Sequence, residues 1–348
     1  MFKNVSIIGD GAMATVLAIL LAEKRIPVRI WGYDADQLKE IERARENTNF
    51  LPGYKIPDAV VFEADDKRIL DKAELVVSAV PCQFMRGVWL RLKPYLPGDV
   101  PIVSVTKGIE NETLMRPTQI LTDVLQEKES SSNLKLKAKN SKLKTAVLSG
   151  PTIADELVRK LPATASAASE DEQFAKDIQF TFNTEWFRVY TNPDVVGVEI
   201  AAACKNVIAI AAGIIDGIGA GDNAKAALLS RGLAEITRLG LACGAKPQTF
   251  AGLAGLGDLV TTCISPKGRN RSFGERIGQG QSVEQALGAT ASVVEGVATC
   301  RSVAALAKKH NVEMPITAAV YQVIFENKPV RKAVADLMTR QLKSEYNT

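Results

Sequence analysis

The sequence predicts an α/β fold in two parts: a doubly wound domain over residues 1–192 and an all-helical domain over residues 193–348. Up to about Tyr190, short apolar runs alternate with helical patterns, which is typical of a parallel sheet covered by helices on both faces. After Asn192-Pro193 the strand patterns stop and long helical patterns follow. A chain of 348 residues also exceeds what one hydrophobic core usually organises, so we expect two cores.

Runs of aliphatic and β-branched residues predict the strands of the first domain. Their apolarity is continuous rather than alternating, which indicates burial on both faces of the sheet. The predicted strands are residues 5–8, 28–31, 60–62, 75–80, 102–105, 146–148, 164–168 and 187–190. In the second domain the main predicted helices are residues 195–215, 223–243, 282–287, 299–309 and 316–325. Asp222 or Asn223 is the expected N-terminal cap of the second of these helices.

The formal net charge of +4 comes from one short segment rather than from a basic face. Residues 127–144 hold six lysines and two glutamates, which account for the whole excess. We interpret this segment as an exposed insertion loop, because a short Lys/Ser-rich run without reading elements is typical of solvated loops. A nucleic-acid partner is therefore not expected.

The cysteines and the apolar segments bound the environment of the protein. Five cysteines are scattered without the spacing of a metal site or redox pair, and the acidic residues show no metal-ligand spacing either, so we expect no metal and a reducing, cytoplasmic environment. The N-terminus lacks the pattern of a signal peptide. The most apolar stretch, residues 200–215, is interrupted by Lys205-Asn206, which predicts a buried helix and no membrane span.

A glycine-rich turn follows the first predicted strand and opens a helix. In Gly9-Asp10-Gly11-Ala12-Met13-Ala14 the first glycine allows a tight turn, and the second lets the backbone approach a pyrophosphate. This context favours a Rossmann-type site for NAD or NADP over an ordinary strand-to-helix turn. Asp10 is unexpected beside a phosphate site unless its side chain points away. No acid ends the second strand and no basic pair follows it, so the choice between NAD and NADP stays open.

Lys205 and Asn206 lie within a predicted helix that is apolar on every side. A buried ammonium is costly, and desolvation lowers its pKa toward the range useful for proton transfer. The alternative is a lysine whose stem reaches to the surface. His310, the only histidine, ends a helix, so histidine-based catalysis is not favoured.

Polar and glycine-rich turns supply a context for Lys205. Gly255-Leu256-Gly257-Asp258 offers a carboxylate that can orient a hydroxyl or the lysine, and an Arg269-Asn270 pair suits a phosphate. Lys107 and the segment of residues 149–152 follow the fifth and sixth strands, at the carboxyl ends where doubly wound domains bind ligands.

These residues resemble the bacterial-type NAD(P)-dependent glycerol-3-phosphate dehydrogenases over essentially the whole chain except the insertion. The most specific motifs are KNVIAIAAG at 205–213, DG at 216–217, RGLAE at 231–235, GLAG at 252–255 with GDL at 257–259, RNR at 269–271 and VEGV at 294–297. The resemblance implies that Lys205 is the proton donor and acceptor at the substrate oxygen. It also implies a homodimer and a role in supplying glycerophospholipid precursors.

The resemblance also implies the residues that surround substrate and cofactor. The substrate residues would be Lys107, Gly150, Thr152, Asp258, Gly268, Arg269 and Asn270. The cofactor residues would be Gly9, Gly11, Ala12, Met13, Tyr33, Phe50, Lys107, Ala154, Arg269, Val293 and Glu295. Five positions depart from the family's usual residue, namely Asp10, Met13, Ala14, Phe50 and Gly268.

The function expected from the sequence is hydride transfer between NAD(P)H and dihydroxyacetone phosphate to give sn-glycerol 3-phosphate, in either direction. One alternative is a dehydrogenase of the same architecture for another small hydroxy acid or sugar acid. The other is a non-catalytic dinucleotide-binding protein that reports redox state to a partner.

Overall fold

The computed structural model describes residues 2–126, 143–290, 293–342 and 344–345. The predicted insertion at 127–144 therefore lies almost entirely outside the described residues. The chain forms two compact units, the first of residues 1–106, 116–148 and 152–195, and the second of residues 107–115, 149–151 and 196–348. Two short segments of the first half, 107–115 and 149–151, thus belong to the second unit, whereas the sequence predicted a single boundary after residue 192.

The first unit is built on a parallel sheet. Its strands are β1 (Val5–Ile8), β2 (Val28–Trp31), β5 (Val60–Phe62), β6 (Leu75–Ser78), β7 (Ile102–Ser104), β8 (Thr145–Ser149), β9 (Ala163–Ala168) and β10 (Phe187–Asn192). A separate two-stranded hairpin is formed by β3 (Glu46–Asn47) and β4 (Leu51–Lys55). The sequence predicted the eight sheet strands and missed the hairpin, because the hairpin is short, mostly exposed and lacks an apolar run.

The strand order places a topological switch next to the first strand. The order is β10-β9-β8-β7-β6-β1-β2-β5. After β1, the strands β2 and β5 are added on one side; β6 then pairs with the other side of β1, and β7 to β10 follow on that side. Val5 of β1 pairs in parallel with Val28 of β2 and with Leu75 of β6. The crevice at the carboxyl ends of β1 and β6 is therefore the position where doubly wound sheets bind ligands.

Helices cover the sheet of the first unit, and the predicted doubly wound class is confirmed. Buried side chains from the sheet and from the helix after β1 share one core. The helices are α1 (Ala12–Glu23), α2 (Ala35–Ala44), α3 (Asp66–Leu70), α4 (Cys82–Leu92), α5 (Pro117–Leu125), α6 (Ala154–Val158) and α7 (Glu172–Phe182).

From residue 196 onward, the regular elements of the described residues are all helices, as the sequence predicted. The helices of the second unit are α8 (Val195–Gly217), α9 (Asp222–Ala242), α10 (Pro247–Ala251), α11 (Asp258–Ile264), α12 (Arg269–Gly278), α13 (Val283–Gly288), α14 (Glu295–Lys309), α15 (Pro315–Phe325) and α16 (Val330–Met338). A π-helical turn, Leu253–Gly257, runs directly into α11.

Two local predictions in this unit are wrong. The N-terminal cap of α9 is Gly221, at φ +85° and without a side-chain hydrogen bond, so neither Asp222 nor Asn223 caps the helix. The positive φ angle is accessible to glycine at no steric cost. Asp258 and Arg269 do not lie in turns but begin helices. The sequence did not predict these short helices, because the glycine-rich segments before them obscure the helical periodicity.

Helix α8 is the central helix of the second unit. It is long and apolar enough to cross a membrane by length and composition, but 94% of its apolar window is buried inside the protein. Its aliphatic side chains contribute to the core together with residues from α9, α14 and α15. The predicted interpretation of this stretch as a buried helix agrees with that burial.

Helices α8 and α12 approach each other closely enough for backbone contact. A Cβ atom on Gly213 of α8 would overlap the carbonyl oxygen of Arg271, and one on Gly274 of α12 would overlap the carbonyl oxygen of Ile210. Gly217 and Gly278, one turn further along each helix, are equally restricted by backbone atoms of the facing helix. The glycines therefore fix the distance between the helix that carries Lys205 and the helix that carries Arg269.

Replacing Gly213 with alanine should destabilise the second unit. We expect Gly213→Ala to lower the free energy of unfolding by about 1–3 kcal/mol, because the new methyl group must displace the backbone of α12. Gly87→Ala is the matched control, since Gly87 lies in a helix but has no atom within 4 Å of its Cβ position. That change should raise stability by about 0.5–1 kcal/mol. Urea unfolding followed by circular dichroism measures the free energy of unfolding of both variants. If the two substitutions changed it in the same direction, the close contact between α8 and α12 would be contradicted.

Candidate active site

The glycine-rich turn lies at the switch point of the sheet. Gly9 follows β1 at φ +116°, and a Cβ atom there would lie 2.7 Å from the carbonyl oxygen of Ala79, which follows β6. Gly11 is the N-terminal cap of α1, has open space around its Cβ position and makes no side-chain cap hydrogen bond. The first turn of α1 also lacks acidic residues. Backbone N–H groups at such a helix terminus suit a pyrophosphate, so the turn fits a dinucleotide.

The other predicted cofactor residues of the first unit lie at the ends of helices and strands or in a loop between strands. Ala12 and Met13 form the first turn of α1. Tyr33 is 71% exposed just after β2, with its ring edge-on to Trp31 at 6.4 Å between centroids. Phe50 lies in the loop of the β3–β4 hairpin, and Ala154 begins α6.

Asn47 ties the hairpin to the glycine turn, and the sequence did not single it out. Its side-chain amide donates to the carbonyl oxygen of Asp10 at 2.8 Å and to the Thr15 hydroxyl at 2.8 Å. Its side-chain oxygen accepts from the backbone N–H of Phe50 at 3.2 Å. The buried amide thus positions Phe50 and the glycine turn relative to each other.

In the second unit, Lys205 is buried within α8. The residue is 5% exposed, and its Nζ donates to Asp258 Oδ1 at 2.7 Å and to Thr262 Oγ1 at 2.6 Å. The Thr262 hydroxyl in turn donates to the backbone carbonyl of Asp258, also at 2.6 Å. The alternative in which the lysine stem carries the amine to the surface does not apply here.

Asp258 is shared between two lysines. Its Oδ2 accepts from Lys107 Nζ at 2.8 Å, while Lys107 also donates to the carbonyl oxygen of Gly150 at 3.1 Å. The side chain of Asp258 is 2% exposed and that of Lys107 is 17% exposed. The two segments of the second unit that come from the first half of the chain, 107–115 and 149–151, thereby meet α8 and α11 at this carboxylate.

The charges of this cluster do not cancel, since two lysines share one carboxylate. Burial is the main cause that lowers the pKa of Lys205 to about 8, with Asp258 raising the pKa and Lys107 lowering it further. An amine with such a pKa can give or take a proton near neutral pH. The remaining positive charge favours an anionic ligand or an oxygen that develops negative charge.

A second group of predicted residues gathers at the N-terminus of α12. Gly268 caps this helix without a side-chain hydrogen bond, and Arg269 is exposed with its guanidinium 3.3 Å from the carbonyl oxygen of Val293. Asn270 is 9% exposed, and its Oδ1 accepts from the backbone N–H of Gly296 at 2.9 Å. Glu295, just before Gly296, is the first residue of α14. Free N–H groups beside an arginine suit a phosphate.

Gly296 connects this group to the lysine cluster. A Cβ atom on Gly296 would lie 2.7 Å from Asn270 Oδ1 and 2.8 Å from the backbone oxygen of Asn206, the neighbour of Lys205. The α12 terminus, the α14 terminus and the middle of α8 therefore meet at one small residue.

The predicted site residues fall into both units. Lys107, Gly150, Lys205 and Asp258 form one hydrogen-bonded cluster, and Gly268, Arg269, Asn270, Val293 and Glu295 lie in the same second unit. Thr152 and the remaining cofactor residues lie in the first unit. Sequence reasoning missed Thr262, although its spacing of four from Asp258 places both on one face of a helix. Within the described part of the chain, no group of His, Cys, Asp or Glu side chains could hold a metal ion.

Removing the shared carboxylate should destabilise the protein in a pH-dependent way. Below pH 7, where Lys205 is protonated, Asp258→Asn should cost about 3–5 kcal/mol, because Lys205 and Lys107 lose the carboxylate between them. The cost should shrink as the pH rises toward 8, since Lys205 loses its proton at lower pH in the variant than in the wild type, where its pKa is about 8. Urea unfolding at pH 6.5 and 9 measures the difference. Asp336→Asn, which breaks a more exposed ion pair with Lys328, is the control and should change little; a pH-independent loss for Asp258→Asn would contradict the charge argument.

Comparisons with known proteins cover nearly the whole chain. A family model described as the C-terminus of NAD-dependent glycerol-3-phosphate dehydrogenase matches residues 194–335, and the model of the N-terminus matches residues 4–175. A glycerol-3-phosphate dehydrogenase (NAD(P)+) from Geobacter sp. (strain M21) is 46% identical over 345 residues, covering 99% of each chain. The relative of the same name from Salinibacter ruber is 46% identical over 343 residues, covering 99% of this chain and 97% of the relative.

Solved structures agree with these relatives. The crystal structure of glycerol-3-phosphate dehydrogenase from Coxiella burnetii has a TM-score of 0.90 at 36% identity and covers 97% of this chain and 99% of that chain. A D-mandelate dehydrogenase structure, with a TM-score of 0.62 at 12% identity, shares the fold alone. The chain therefore belongs to the NAD-dependent glycerol-3-phosphate dehydrogenase family.

Proposed function

We propose that this protein interconverts dihydroxyacetone phosphate and sn-glycerol 3-phosphate with NAD(P)(H) as cofactor. The observation that carries the proposal is the buried Lys205 amine, which Asp258 and Thr262 hold in place. The relatives named glycerol-3-phosphate dehydrogenase support the choice of substrate. When bound, the nicotinamide dinucleotide supplies or accepts the hydride.

Lys205 exchanges the proton at the substrate oxygen. An ammonium has three N–H donors, and Lys205 directs one to Asp258 and one to the hydroxyl of Thr262. The third is available for a carbonyl oxygen, which takes the proton as it becomes a hydroxyl. In the reverse direction the neutral amine accepts the proton. Asp258 keeps the amine oriented in both directions.

The substrate phosphate is held by positive charge and backbone donors of the second unit. The first turn of α12 supplies N–H groups, and Arg269 supplies a planar fork of donors. Lys107 leaves part of its positive charge uncompensated beside Gly150. Next to Gly150, the buried hydroxyl of Ser149 has no hydrogen-bond partner among the described residues, so it can also take up a ligand.

Replacing Lys205 should abolish turnover without removing the cofactor site. Lys205→Ala should lower kcat by about 10²–10⁴, because the proton transfer loses its donor. The Kd for NADH, measured by titration, should stay near the wild-type value, since the glycine turn before α1 is unchanged. Lys308→Ala, at an exposed position on α14, is the control and should leave both measurements as they are. A Lys205 variant that retains most of its activity would refute the role of the amine.

The pKa of Lys205, about 8, predicts opposite pH profiles for the two directions. Reduction needs the ammonium, so kcat/KM for dihydroxyacetone phosphate should fall above about pH 8. Oxidation needs the neutral amine, so kcat/KM for glycerol 3-phosphate should rise through the same pH. Because Asp258 raises this pKa, Asp258→Asn should move both profiles to lower pH if it retains activity. Profiles that run in parallel in the two directions would count against Lys205.

Arg269 should determine the affinity for the phosphate of the substrate. Arg269→Ala should raise KM for dihydroxyacetone phosphate by about 10–100-fold, since hydrogen bonds to charged groups contribute about 1.5–3 kcal/mol. Arg276→Ala, near the other end of the same helix, is the matched control and should leave KM unchanged. Unchanged kinetics for Arg269→Ala would remove the phosphate role.

A panel of substrates separates this function from its alternatives. A dehydrogenase for another hydroxy acid would oxidise that acid faster than glycerol 3-phosphate, and a redox sensor would bind dinucleotide without consuming it. A cytoplasmic homodimer that supplies glycerophospholipid synthesis, without a nucleic-acid partner, is the setting that we propose for the activity.

A further inference from the structure

The end of strand β2 lacks the acid that usually selects NAD. In dinucleotide-binding domains an Asp or Glu at this position binds the ribose 2′-hydroxyl, and a nearby arginine accommodates the 2′-phosphate of NADP. Here β2 is followed by Gly32, Tyr33 and Asp34. Asp34 is engaged elsewhere, because its carboxylate accepts from the backbone N–H groups of Asp36 and Gln37 and caps α2.

Asp10 brings a carboxylate to this position from the glycine turn. Its Oδ2 accepts from the side-chain amide of Gln37 at 2.8 Å. A Cβ atom on Gly32 would lie 2.7 Å from the same oxygen and 3.1 Å from Asp10 Cγ. The carboxylate therefore lies directly against the first residue after β2, and only a glycine leaves room for it there.

The surroundings of Asp10 keep this acid in one place. Its pKa is raised above the usual value, chiefly by burial, and the hydrogen bond from Gln37 offsets only part of this rise. Asn47 donates to the backbone oxygen of Asp10 and so fixes the turn from the other side. The side chain thus points away from the N-terminus of α1. An acid in this turn is therefore compatible with phosphate binding there.

Arg91, which lies beside Tyr33, is already paired with a carboxylate. The guanidinium of Arg91 lies 5.6 Å from the centre of the Tyr33 ring, but it forms a bidentate ion pair with Asp66 at 2.6 and 2.9 Å. Trp31 also donates to the same carboxylate. A 2′-phosphate at the end of β2 would therefore meet the negative charge of Asp10, while the guanidinium of Arg91 is already paired with Asp66.

We propose that Asp10 is a specificity-determining residue that makes this protein prefer NAD(H) over NADP(H). Its carboxylate takes the place of the absent acid of β2, accepts a hydrogen bond from the adenosine ribose and repels a 2′-phosphate. The inference rests on the proposed dinucleotide site but not on the identity of the substrate.

Direct binding of the two reduced cofactors tests this preference without turnover. Calorimetric titration of the full chain should give a Kd for NADPH at least about tenfold above that for NADH, because like charges in contact are unfavourable. Asp10→Asn keeps the shape and removes the charge, so it should narrow this ratio about tenfold, mainly by tightening NADPH. Asp36→Asn removes an exposed charge from the start of α2 and should leave the ratio unchanged.

The outcomes separate this inference from the proposed function. If the wild-type protein binds NADPH as tightly as NADH, or if Asp10→Asn tightens both cofactors equally, the role of Asp10 is wrong while the dehydrogenase remains. If neither cofactor binds, the proposed function itself fails. Where the Asp10 variant does not fold, a wild-type NADPH/NADH ratio of dissociation constants near one still refutes the inference.

Discussion

The second unit depends on one buried carboxylate. Asp258 accepts hydrogen bonds from Lys205 and from Lys107, and it thereby joins α8, α11 and the segment that follows β7. Burying ionisable groups is unfavourable unless they are paired, so removing Asp258 leaves two lysines without their shared carboxylate. Burial lowers the pKa of Lys205 to about 8, even though Asp258 raises it. The burial that makes these charges unfavourable for folding is therefore the same burial that gives Lys205 a pKa suited to proton transfer.

Glycine contacts make this arrangement rigid. Gly213 and Gly274 let α8 and α12 touch through their backbones, and Gly296 brings the start of α14 against both helices. Side chains at these positions would separate the lysine-bearing helix from the helix that presents Arg269. These glycines thus set the relative positions of the helices, because the distance between two helices depends on the atoms at their closest approach.

The first unit shows how a departure from a familiar pattern can be informative. A glycine fingerprint with an acid in its second position looks unfavourable for phosphate binding. The structure turns that acid toward Gly32, where its Oδ2 accepts from Gln37, and leaves the N-terminus of α1 without nearby acids in its first turn. The residue that weakened the sequence-based prediction therefore does not argue against phosphate binding at this turn.

Periodicity determined the fold class and much of the strand and helix pattern, because continuous apolar runs and helical spacing report directly which residues must leave water. It also determined that Lys205 lies in a helix apolar on every side. Only the tertiary structure decided that Lys107 and Asp258, 151 positions apart, share a hydrogen bond, that Thr262 supports the lysine, and that Asp10 faces the end of β2. The pattern of a chain encodes burial, but the pairing of buried polar groups depends on distances between elements that are remote in sequence.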